Sequence, residues 1–255
     1  MEKQSEKIDQ LGKMISKSKT CVVFTGAGIS TESGISDFRS PGGIWEKYQP
    51  IMFQDFMASE EMRRESWRRK FATDDAIGSA KPNKGHMSIA KLVNDGKVSC
   101  VITQNIDGLH QLSGVPDEKV IELHGNATYA SCLSCGTRYE LGPIREAFLG
   151  DETLPVCDSC GGIIKSATIS FGQAMPEKAM MDAQRETLSC DLFVAMGSSL
   201  VVFPAAGFPE LAKRNGALLV IINRDPTAFD SIADLVIHGE IGPTFSMAVG
   251  LDPSP

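Results

Sequence analysis

The sequence predicts an α/β fold built on a doubly wound parallel sheet. Two observations carry this prediction: short apolar runs rich in β-branched residues recur along the chain, and segments with helical periodicity separate them. The predicted strands are residues 21–24, 99–103, 120–123, 192–196, 217–222 and 235–237. Amphipathic helices are predicted at residues 5–18 and 86–94. The 255 residues suffice for one such domain with an insertion.

The composition is that of a soluble globular protein, with 42% hydrophobic and 22% charged residues. A net charge of −7 argues against a nucleic-acid binder, because phosphate neutralisation needs a basic surface. The first ten residues lack the apolar core of a secretory signal, and glycine and proline interrupt the uncharged stretch 192–209. We therefore expect a cytoplasmic protein without a membrane partner. Its oligomeric state is open, and a monomer is compatible with the sequence.

The first predicted strand ends in a turn with two glycines, Gly26-Ala27-Gly28. Glycine lets the backbone turn tightly, and the free N–H groups of a strand–turn–helix connection bind dinucleotide phosphates. Ser30 or Thr31 is expected to cap the helix or turn that follows. Thr31 replaces the third glycine of the dehydrogenase fingerprint, and no acidic residue follows at the spacing that binds ribose. Two interpretations stay open: a phosphate-binding loop, or a plain strand-to-turn connection.

Two segments between the first and second predicted strands differ from each other in composition. Residues 32–43 have loop composition with a few large side chains, which suits a flap over a ligand. Residues 52–71 are predicted to be helical. The charges of this helix alternate in sign, which favours a solvent-exposed face.

Four of the seven cysteines form two C-x-x-C pairs separated by twenty-one residues. The pairs are Cys132–Cys135 and Cys157–Cys160. Two intervening residues let both thiolates of a pair reach one ion, so two pairs predict a tetrahedral structural zinc site without an open position for chemistry. Two disulfides and an iron–sulfur site are the alternatives. The remaining cysteines are expected to be small core residues beside apolar strands: Cys21, Cys100 and Cys190.

Polar side chains follow two of the predicted strands. Asn105 and Asp107 come directly after the strand at 99–103, and His124 follows the strand at 120–123. Ligands of open α/β sheets lie beyond the carboxyl ends of the strands, so we expect these side chains in one crevice. A histidine there can act as a general base near neutral pH. The alternative is a hydrogen-bonded core histidine, and the strand-end position of His124 favours catalysis.

Longer motifs, taken in order along the chain, resemble those of the sirtuins, and most closely the compact bacterial and archaeal members. The segments that carry the resemblance are GAGISTESGISDFRSPGGIW (26–45), TQNIDGLH (103–110), ELHGN (122–126), the paired cysteines, SFG (170–172), GSSLVVFPAA (197–206) and Asn223. They are in register over about residues 5–245.

The resemblance implies an NAD-dependent protein lysine deacylase with two domains. A Rossmann-like NAD-binding domain would comprise residues 1–39, 85–125 and 169–255. Two insertions would form a smaller domain, a helical module at 40–84 and a zinc module at 126–168. NAD, consumed as a co-substrate, and the acylated lysine of a protein substrate would enter the cleft between the domains from opposite sides.

The resemblance also implies roles for individual residues. The catalytic residues would be His124, Asn105 and Asp107, with His124 as the general base. NAD would contact Gly26, Ala27, Gly28, Ser30, Thr31, Asp37, Phe38, Arg39, Gln104, Asn105, Ile106, Asp107, His124, Gly197, Ser198, Ser199, Asn223 and Ile241. The acyl-lysine would contact Ile169, Phe171 and Gly172. One structural zinc would be bound by Cys132, Cys135, Cys157 and Cys160.

Three short segments depart from the family pattern. Lys165-Ser166 stands where many relatives carry Arg-Pro, and Gln173 stands where many carry Glu. Arg224-Asp225 follows Asn223, where small residues are common. The first two departures bear on the preference for the peptide substrate, and the third bears on adenosine contacts.

The Tyr-x-x-Arg pair of relatives specialised for succinyl and malonyl groups is absent. Glu65 and Ser66 stand three positions before Arg68 and Arg69, two of the four arginines of the predicted helix. We therefore expect lysines that carry uncharged acyl groups as substrates. The open question is whether Arg68 or Arg69 supplies a positive charge to an acidic acyl group.

Other functions share parts of this pattern. A protein mono-ADP-ribosyltransferase that uses the same NAD site is the main alternative. A non-enzymatic NAD sensor would not need His124 beside Asn105 and Asp107. A dehydrogenase would need the acidic residue that binds ribose, which is missing.

Overall fold

Nine strands are present in the computed structural model, which describes residues 2–37 and 48–251. The strands are β1 (Cys21–Thr25), β2 (Val98–Thr103), β3 (Val120–Glu122), β4 (Gly125–Cys132), β5 (Arg138–Glu140), β6 (Ile164–Thr168), β7 (Leu192–Met196), β8 (Leu218–Ile222) and β9 (Leu235–Ile237). The helices are α1 (Glu2–Lys17), α2 (Phe53–Ala58), α3 (Glu60–Ser79), α4 (Lys84–Asn94), α5 (Leu109–Leu112), α6 (Leu141–Asp151), α7 (Glu177–Ser189), α8 (Gly207–Arg214) and α9 (Ile241–Ala248). Short 3₁₀ helices lie at Ala27–Ser33, Asp117–Lys119 and Asp230–Ile232.

Six strands form one parallel sheet in the order β3-β2-β1-β7-β8-β9. The chain leaves the central strand β1 towards β2 and β3, then returns to its other side with β7. The strand order therefore reverses between β1 and β7, and ligands of such sheets bind beside that reversal. The predicted fold class, a Rossmann-like doubly wound sheet, is confirmed.

Helices cover both faces of this sheet because alternate side chains of a buried strand point to opposite sides. On one face, Val23 packs in a cluster with side chains of α1, α4 and α9. On the other face, Val22 and Phe24 pack with side chains of α7 and α8. The continuous apolar composition of β1 thus reflects burial on both sides.

The strands of the parallel sheet end at one level. Thr25, the last residue of β1, is in register with Thr103 of β2 and Met196 of β7. The register continues outward to the last residues of β8 and β9, Ile222 and Ile237. The residues that follow these strands therefore lie along a single edge, which is where polar groups from distant parts of the chain can meet.

A second, antiparallel sheet has the order β5-β4-β6. Cys132, the first cysteine of the two C-x-x-C pairs, is the last residue of β4. Trp67 and Phe71 of α3 share a hydrophobic cluster with Phe148 of α6 and Ile164 of β6. The two segments predicted to form the smaller domain thus have a common core, which favours the proposed division, and the domain boundaries stay a prediction.

The predicted helix at 52–71 is two helices, α2 and α3, separated at Ser59. Ser59 has an extended backbone, with φ −133° and ψ 126°. Its side-chain oxygen accepts a hydrogen bond from the amide of Met62 at 3.3 Å. Serine caps a new helix in this way, and the cap interrupts what helical periodicity alone predicts as one element.

Within residues 2–37 and 48–251, none of the helices combines the length and the apolar character that crossing a bilayer requires.

Candidate active site

A cavity of about 470 Å³ opens at the carboxyl edge of the parallel sheet. It lies where the strand order reverses, and its volume falls in the range of small-molecule sites. Most of the residues predicted to bind NAD or acyl-lysine line it: Gly26, Ala27, Gly28, Thr31, Asp37, Gln104, Asn105, Ile106, His124, Ile169, Phe171, Gly172, Gly197, Ser198, Ser199, Asn223 and Ile241. Phe38 and Arg39 lie outside the described residues.

The glycine turn packs against the end of β7. A Cβ added to Gly28 would lie 2.8 Å from the Cα of Gly197, so no larger residue fits between these two backbones. The amide of Gly26 donates to the carbonyl of Met196 at 3.1 Å, and the amide of Gly28 donates to that of Gly197 at 2.8 Å. The amides of Gly26 and Gly28 are therefore not among the free N–H groups expected of this connection, because Met196 at the end of β7 and Gly197 after it accept their hydrogen bonds.

The expected helix cap at Ser30 or Thr31 is also absent. The 3₁₀ helix already begins after Gly26, without a side-chain cap. The hydroxyl of Thr31 donates back to the carbonyl of Gly28 at 2.9 Å, and Ser30 is buried and bonded elsewhere. The close contact between the glycine turn and the end of β7 already fixes the turn, so neither hydroxyl acts as a helix cap.

His124 presents one ring nitrogen to the cavity. Its Nδ1 lies 2.9 Å from the carbonyl oxygen of Gln104. A carbonyl only accepts, so Nδ1 carries the proton and Nε2 is left as an acceptor. Burial lowers the pKa of His124 below its ordinary value, a shift that the hydrogen bond to Gln104 only partly opposes. At neutral pH the ring is therefore uncharged and able to take a proton.

Asn105 is held in the cavity wall by a short hydrogen-bonded chain. Its Nδ2 donates to the hydroxyl of Ser30 at 3.2 Å, and that hydroxyl donates to Oδ2 of Asp107 at 2.6 Å. The other carboxylate oxygen of Asp107 accepts from the amide of Leu109 at 2.9 Å. Ser30 and Asp107 do not line the cavity themselves. Their geometry is that of supports, which leave the amide oxygen of Asn105 for a ligand.

A second polar chain supports Asn105 from beneath. Nε2 of the buried His110 lies 2.9 Å from the hydroxyl of Thr25, which donates to the hydroxyl of Thr103 at 2.8 Å. The hydroxyl of Thr103 accepts from the amide of Asn105 at 3.0 Å. Sequence analysis singles out no role for His110, because the contact joins β1 to a helix far along the chain.

The four cysteines of the C-x-x-C pairs form one cluster. Their sulfur atoms all lie within 4.8 Å of one another. The separations are 3.5 Å between Cys132 and Cys160 and 3.6 Å between Cys135 and Cys157. These distances approach the edge of about 3.8 Å of a tetrahedron with Zn–S bonds of about 2.3 Å. The four-thiolate donor set therefore fits structural zinc.

Three local hydrogen bonds shape this cluster. The amides of Gly136 and Gly161 each close a turn on the carbonyl of the first cysteine of their pair, at 3.0 and 2.8 Å. The hydroxyl of Tyr139 donates to the sulfur of Cys157 at 3.1 Å. Such hydrogen bonds orient thiolate ligands around a metal.

Among families of known proteins, the Sir2 family model matches residues 26–204 of this chain. The NAD-dependent protein deacetylase 1 of Bradyrhizobium diazoefficiens is 57% identical over 243 residues, which cover 95% of each chain. The NAD-dependent protein deacetylase of Rhodopseudomonas palustris is 55% identical over 246 residues, covering 96% of this chain and 97% of that protein.

This chain belongs to the Sir2 family.

A solved structure of a Sir2 protein with a deacetylated p53 peptide and 3′-O-acetyl ADP-ribose superposes with a TM-score of 0.85. It is 34% identical, and the match covers 96% of this chain and 98% of that one. The Sir2 fold therefore extends over nearly the whole chain.

Several residues that line the cavity of this Sir2 protein are not among the predicted NAD and acyl-lysine contacts, although Gln173, Arg224 and Asp225 were noted as departures from the family pattern. They lie after strand ends or in the segment after β6: Thr168, Ser170, Gln173, Met175, Val202, Phe203, Pro204, Arg224, Asp225, Pro226, Gly239 and Glu240. The strand-end rule could have found those after β8 and β9, since they directly follow predicted strands. The others lie at the end of β6, in the segment after it, or several residues after the end of β7, so their place in the cavity depends on how these longer segments fold.

The two arginines left open by the sequence have other partners. Arg68 donates to both carboxylate oxygens of Glu152, each at 2.6 Å. Arg69 donates to Glu65 at 2.6 Å and to the carbonyl of Gln49 at 2.6 Å. Neither is among the described residues that line the cavity. These charged residues of α3 therefore form ion pairs at the surface of the helix.

Proposed function

We propose that this Sir2 protein is an NAD-dependent protein lysine deacetylase or deacylase. It moves the acyl group from lysine to ADP-ribose and releases nicotinamide. The observation that carries the proposal is the orientation of His124, whose Nε2 is a free acceptor beside Asn105 at the reversal of the strand order. Relatives 55–57% identical over nearly the whole chain are named NAD-dependent protein deacetylases.

NAD supplies the electrophilic sugar carbon and the ribose hydroxyl that receives the acyl group. The residues that would hold it are those at the carboxyl edge of the sheet: Ala27 in the turn, Gln104 and Asn105 after β2, Gly197 to Ser199 after β7 and Asn223 after β8. Gln104 and Ser198 are already joined, since Nε2 of Gln104 donates to the hydroxyl of Ser198 at 2.8 Å. The floor of the cavity is thus organised before a ligand binds, which lowers the cost of binding.

His124 would move the proton. Its Nε2 accepts a proton from a ribose hydroxyl, and Nδ1 keeps its own proton on the carbonyl of Gln104. Because that carbonyl cannot take the proton, it fixes the tautomer and partly balances the charge that the ring gains.

The acyl-lysine would lie against the segment from Thr168 to Gly172. The amide of Ile169 donates to the carbonyl of His124 at 2.8 Å, so the segment is tied directly to the base. An apolar wall of this kind accepts a neutral acyl-lysine more readily than a charged lysine, because an unpaired ammonium is costly to bury.

Mass spectrometry of an acetyl-lysine peptide incubated with the protein and NAD tests the proposal. We expect free lysine in the peptide, nicotinamide and O-acetyl-ADP-ribose in equal amounts. ADP-ribose attached to protein or peptide, with the acetyl group retained, would instead identify a mono-ADP-ribosyltransferase. A cytoplasmic location and the absence of nucleic-acid binding stay predictions from composition, and the oligomeric state stays open.

Asp107→Ala is expected to slow nicotinamide exchange about 10- to 100-fold, while the Kd for ADP-ribose changes less than about threefold. The reason is that the carboxylate of Asp107 holds Ser30 and thereby Asn105, and a hydrogen bond to a charged group is worth about 1.5–3 kcal/mol. Exchange of labelled nicotinamide and isothermal titration with ADP-ribose measure the two effects. The control is Asp95→Ala, which replaces an exposed aspartate that is paired with Lys91. Equal loss in both assays would contradict this role.

Acetyl-lysine peptides are expected to exceed succinyl-lysine peptides in kcat/KM by at least about 100-fold. A buried carboxylate without a cationic partner costs several kcal/mol, and the side chains of Arg68 and Arg69 are engaged away from the cavity. Steady-state kinetics on two peptides that differ only in the acyl group measure the ratio. Similar values for the two peptides would show that a cation reaches the acyl group.

A further inference from the structure

Lys165 of β6 is a buried lysine, with 3% of its surface exposed. Its ammonium donates to the carbonyl oxygen of Thr168 at 2.6 Å and to that of Ser166 at 3.3 Å. Among the residues that the structure describes, it forms no ion pair with a carboxylate. The charge is therefore stabilised by backbone carbonyls of its own strand.

The ring of Phe56 lies over the same ammonium. The Nζ atom is 5.9 Å from the centre of this ring, which belongs to the buried face of α2. Burial lowers the pKa of Lys165 to about 8, so the group is mostly charged at pH 7. Lys165 thus joins α2 to the end of β6 through a cation–π contact and a charge-assisted hydrogen bond.

Two further contacts join α2 to the segment that follows β6. The amide of Phe53, at the start of α2, donates to the carbonyl of Phe171 at 2.8 Å. The side chain of Gln54 donates to the carbonyl of Gly172 at 3.4 Å. Thr168, Phe171 and Gly172 all line the cavity. The wall at 168–172 is therefore held by α2 on one side and by the bond between Ile169 and His124 on the other.

We propose that Lys165 is a positioning residue for the acyl-lysine substrate: its ammonium holds the wall at 168–172 against α2 and so sets the place of the peptide relative to His124. This inference rests on the proposed deacylase function. An apolar side chain would fill a buried position at lower cost than an ammonium with no carboxylate partner. The ammonium is retained because it fixes the carbonyl of Thr168, the residue immediately before Ile169.

The hydrogen bonds of Lys165 limit its effect to the binding of the peptide substrate. The ammonium is bonded to Thr168, not to the glycine turn, to Gln104 or to Asn223. Loss of its charge therefore displaces the peptide wall and leaves the proposed NAD contacts in place. A guanidinium can also donate to a backbone carbonyl while lying over an aromatic ring, so arginine is the conservative replacement for Lys165.

The test compares Lys165→Met with Lys165→Arg in the full-length zinc-containing enzyme at pH 7. We expect Lys165→Met to raise the KM for an acetyl-lysine peptide about tenfold or more, the effect of losing one hydrogen bond from a charged group. The KM for NAD should change less than about twofold. Lys165→Arg should stay within about threefold of the wild type in both. Lys165→Gln, a second neutral variant, should show the same selective rise if the methionine variant does not fold.

Zinc content and melting temperature confirm that each variant is folded, and Lys178→Met, at an exposed lysine of α7, is the matched control. An equal rise in the KM for peptide and for NAD would overturn the proposal, as would an unchanged peptide KM in both neutral variants. Wild-type enzyme that fails to deacetylate the peptide would instead overturn the proposed function, so the two failures are distinguishable.

Discussion

His124→Ala is expected to lower the rate of deacylation by about 100- to 10,000-fold, the range typical of a lost general base. His124 and Asn105 both line the cavity, and Nε2 of His124 is the ring nitrogen that the carbonyl of Gln104 does not engage. The alanine variant removes this acceptor without touching the two supports of Asn105. Steady-state kinetics with an acetyl-lysine peptide measure the loss. Activity near the wild-type level would contradict the assigned base and the mechanism built on it.

Nicotinamide exchange should survive in part in the same variant. Cleavage of the bond to nicotinamide depends mainly on how NAD and the acyl oxygen are held, whereas the later step needs the proton removed. Melting temperature and zinc content should change little, because His124 lies at the cavity edge and not in the zinc cluster. A variant that loses exchange, zinc and stability together would point to a structural role for the side chain.

The pH dependence of the wild-type enzyme follows from the same ring. The base must be uncharged, so activity is lost as the pH falls through its pKa. The residue type alone predicts a midpoint at about 6 to 7. Burial lowers the pKa of His124, so the acid limb should lie below the ordinary value of 6.5. Values of kcat/KM measured between pH 4.5 and 8 would locate the limb, because kcat/KM reports the pKa of the free enzyme. A midpoint above 7 would contradict this environment.

Cys157→Ala is expected to abolish zinc binding and deacylation together. A cluster short of one thiolate binds the ion weakly, and structural zinc contributes about 10–16 kcal/mol in small zinc domains. Cys132 and Cys157 pack in the same hydrophobic cluster as Trp67 of α3. Loss of the ion should therefore loosen β4, β5 and β6 and also the end of α3 that packs on them. Metal analysis and hydrogen exchange measure the two effects.

Cys100→Ala is the matched control for the zinc cluster. Cys100 is a buried thiol of β2 in the parallel sheet, away from the four clustered sulfurs. This variant should keep one zinc per chain and lose only the packing of one sulfur atom. Active wild-type protein without zinc would refute the metal assignment, and a Cys157→Ala variant with full activity would show that the ion is dispensable.

The local spacing of residue types in the sequence by itself determined many of the strands and site residues of this protein. The apolar β-branched runs predict the six parallel strands to within two residues at each end, because burial on both faces imposes that composition. The two C-x-x-C pairs predict one four-thiolate cluster, since two intervening residues bring both sulfurs to one side of a turn. Asn105 and His124 were placed in one crevice because the carboxyl ends of parallel strands share an edge.

Only the tertiary structure decided which of these groups are free to act. Gly26 and Gly28 give the turn the composition of an anion-binding loop, yet the carbonyls of Met196 and Gly197 accept the hydrogen bonds of their amides. The tautomer of His124 depends on the carbonyl of Gln104, and the burial of Lys165 depends on α2. Each of these outcomes is a contact between segments far apart in the chain. Local spacing carries no information about such partners, because hydrogen bonding, desolvation and charge depend on what lies across the fold.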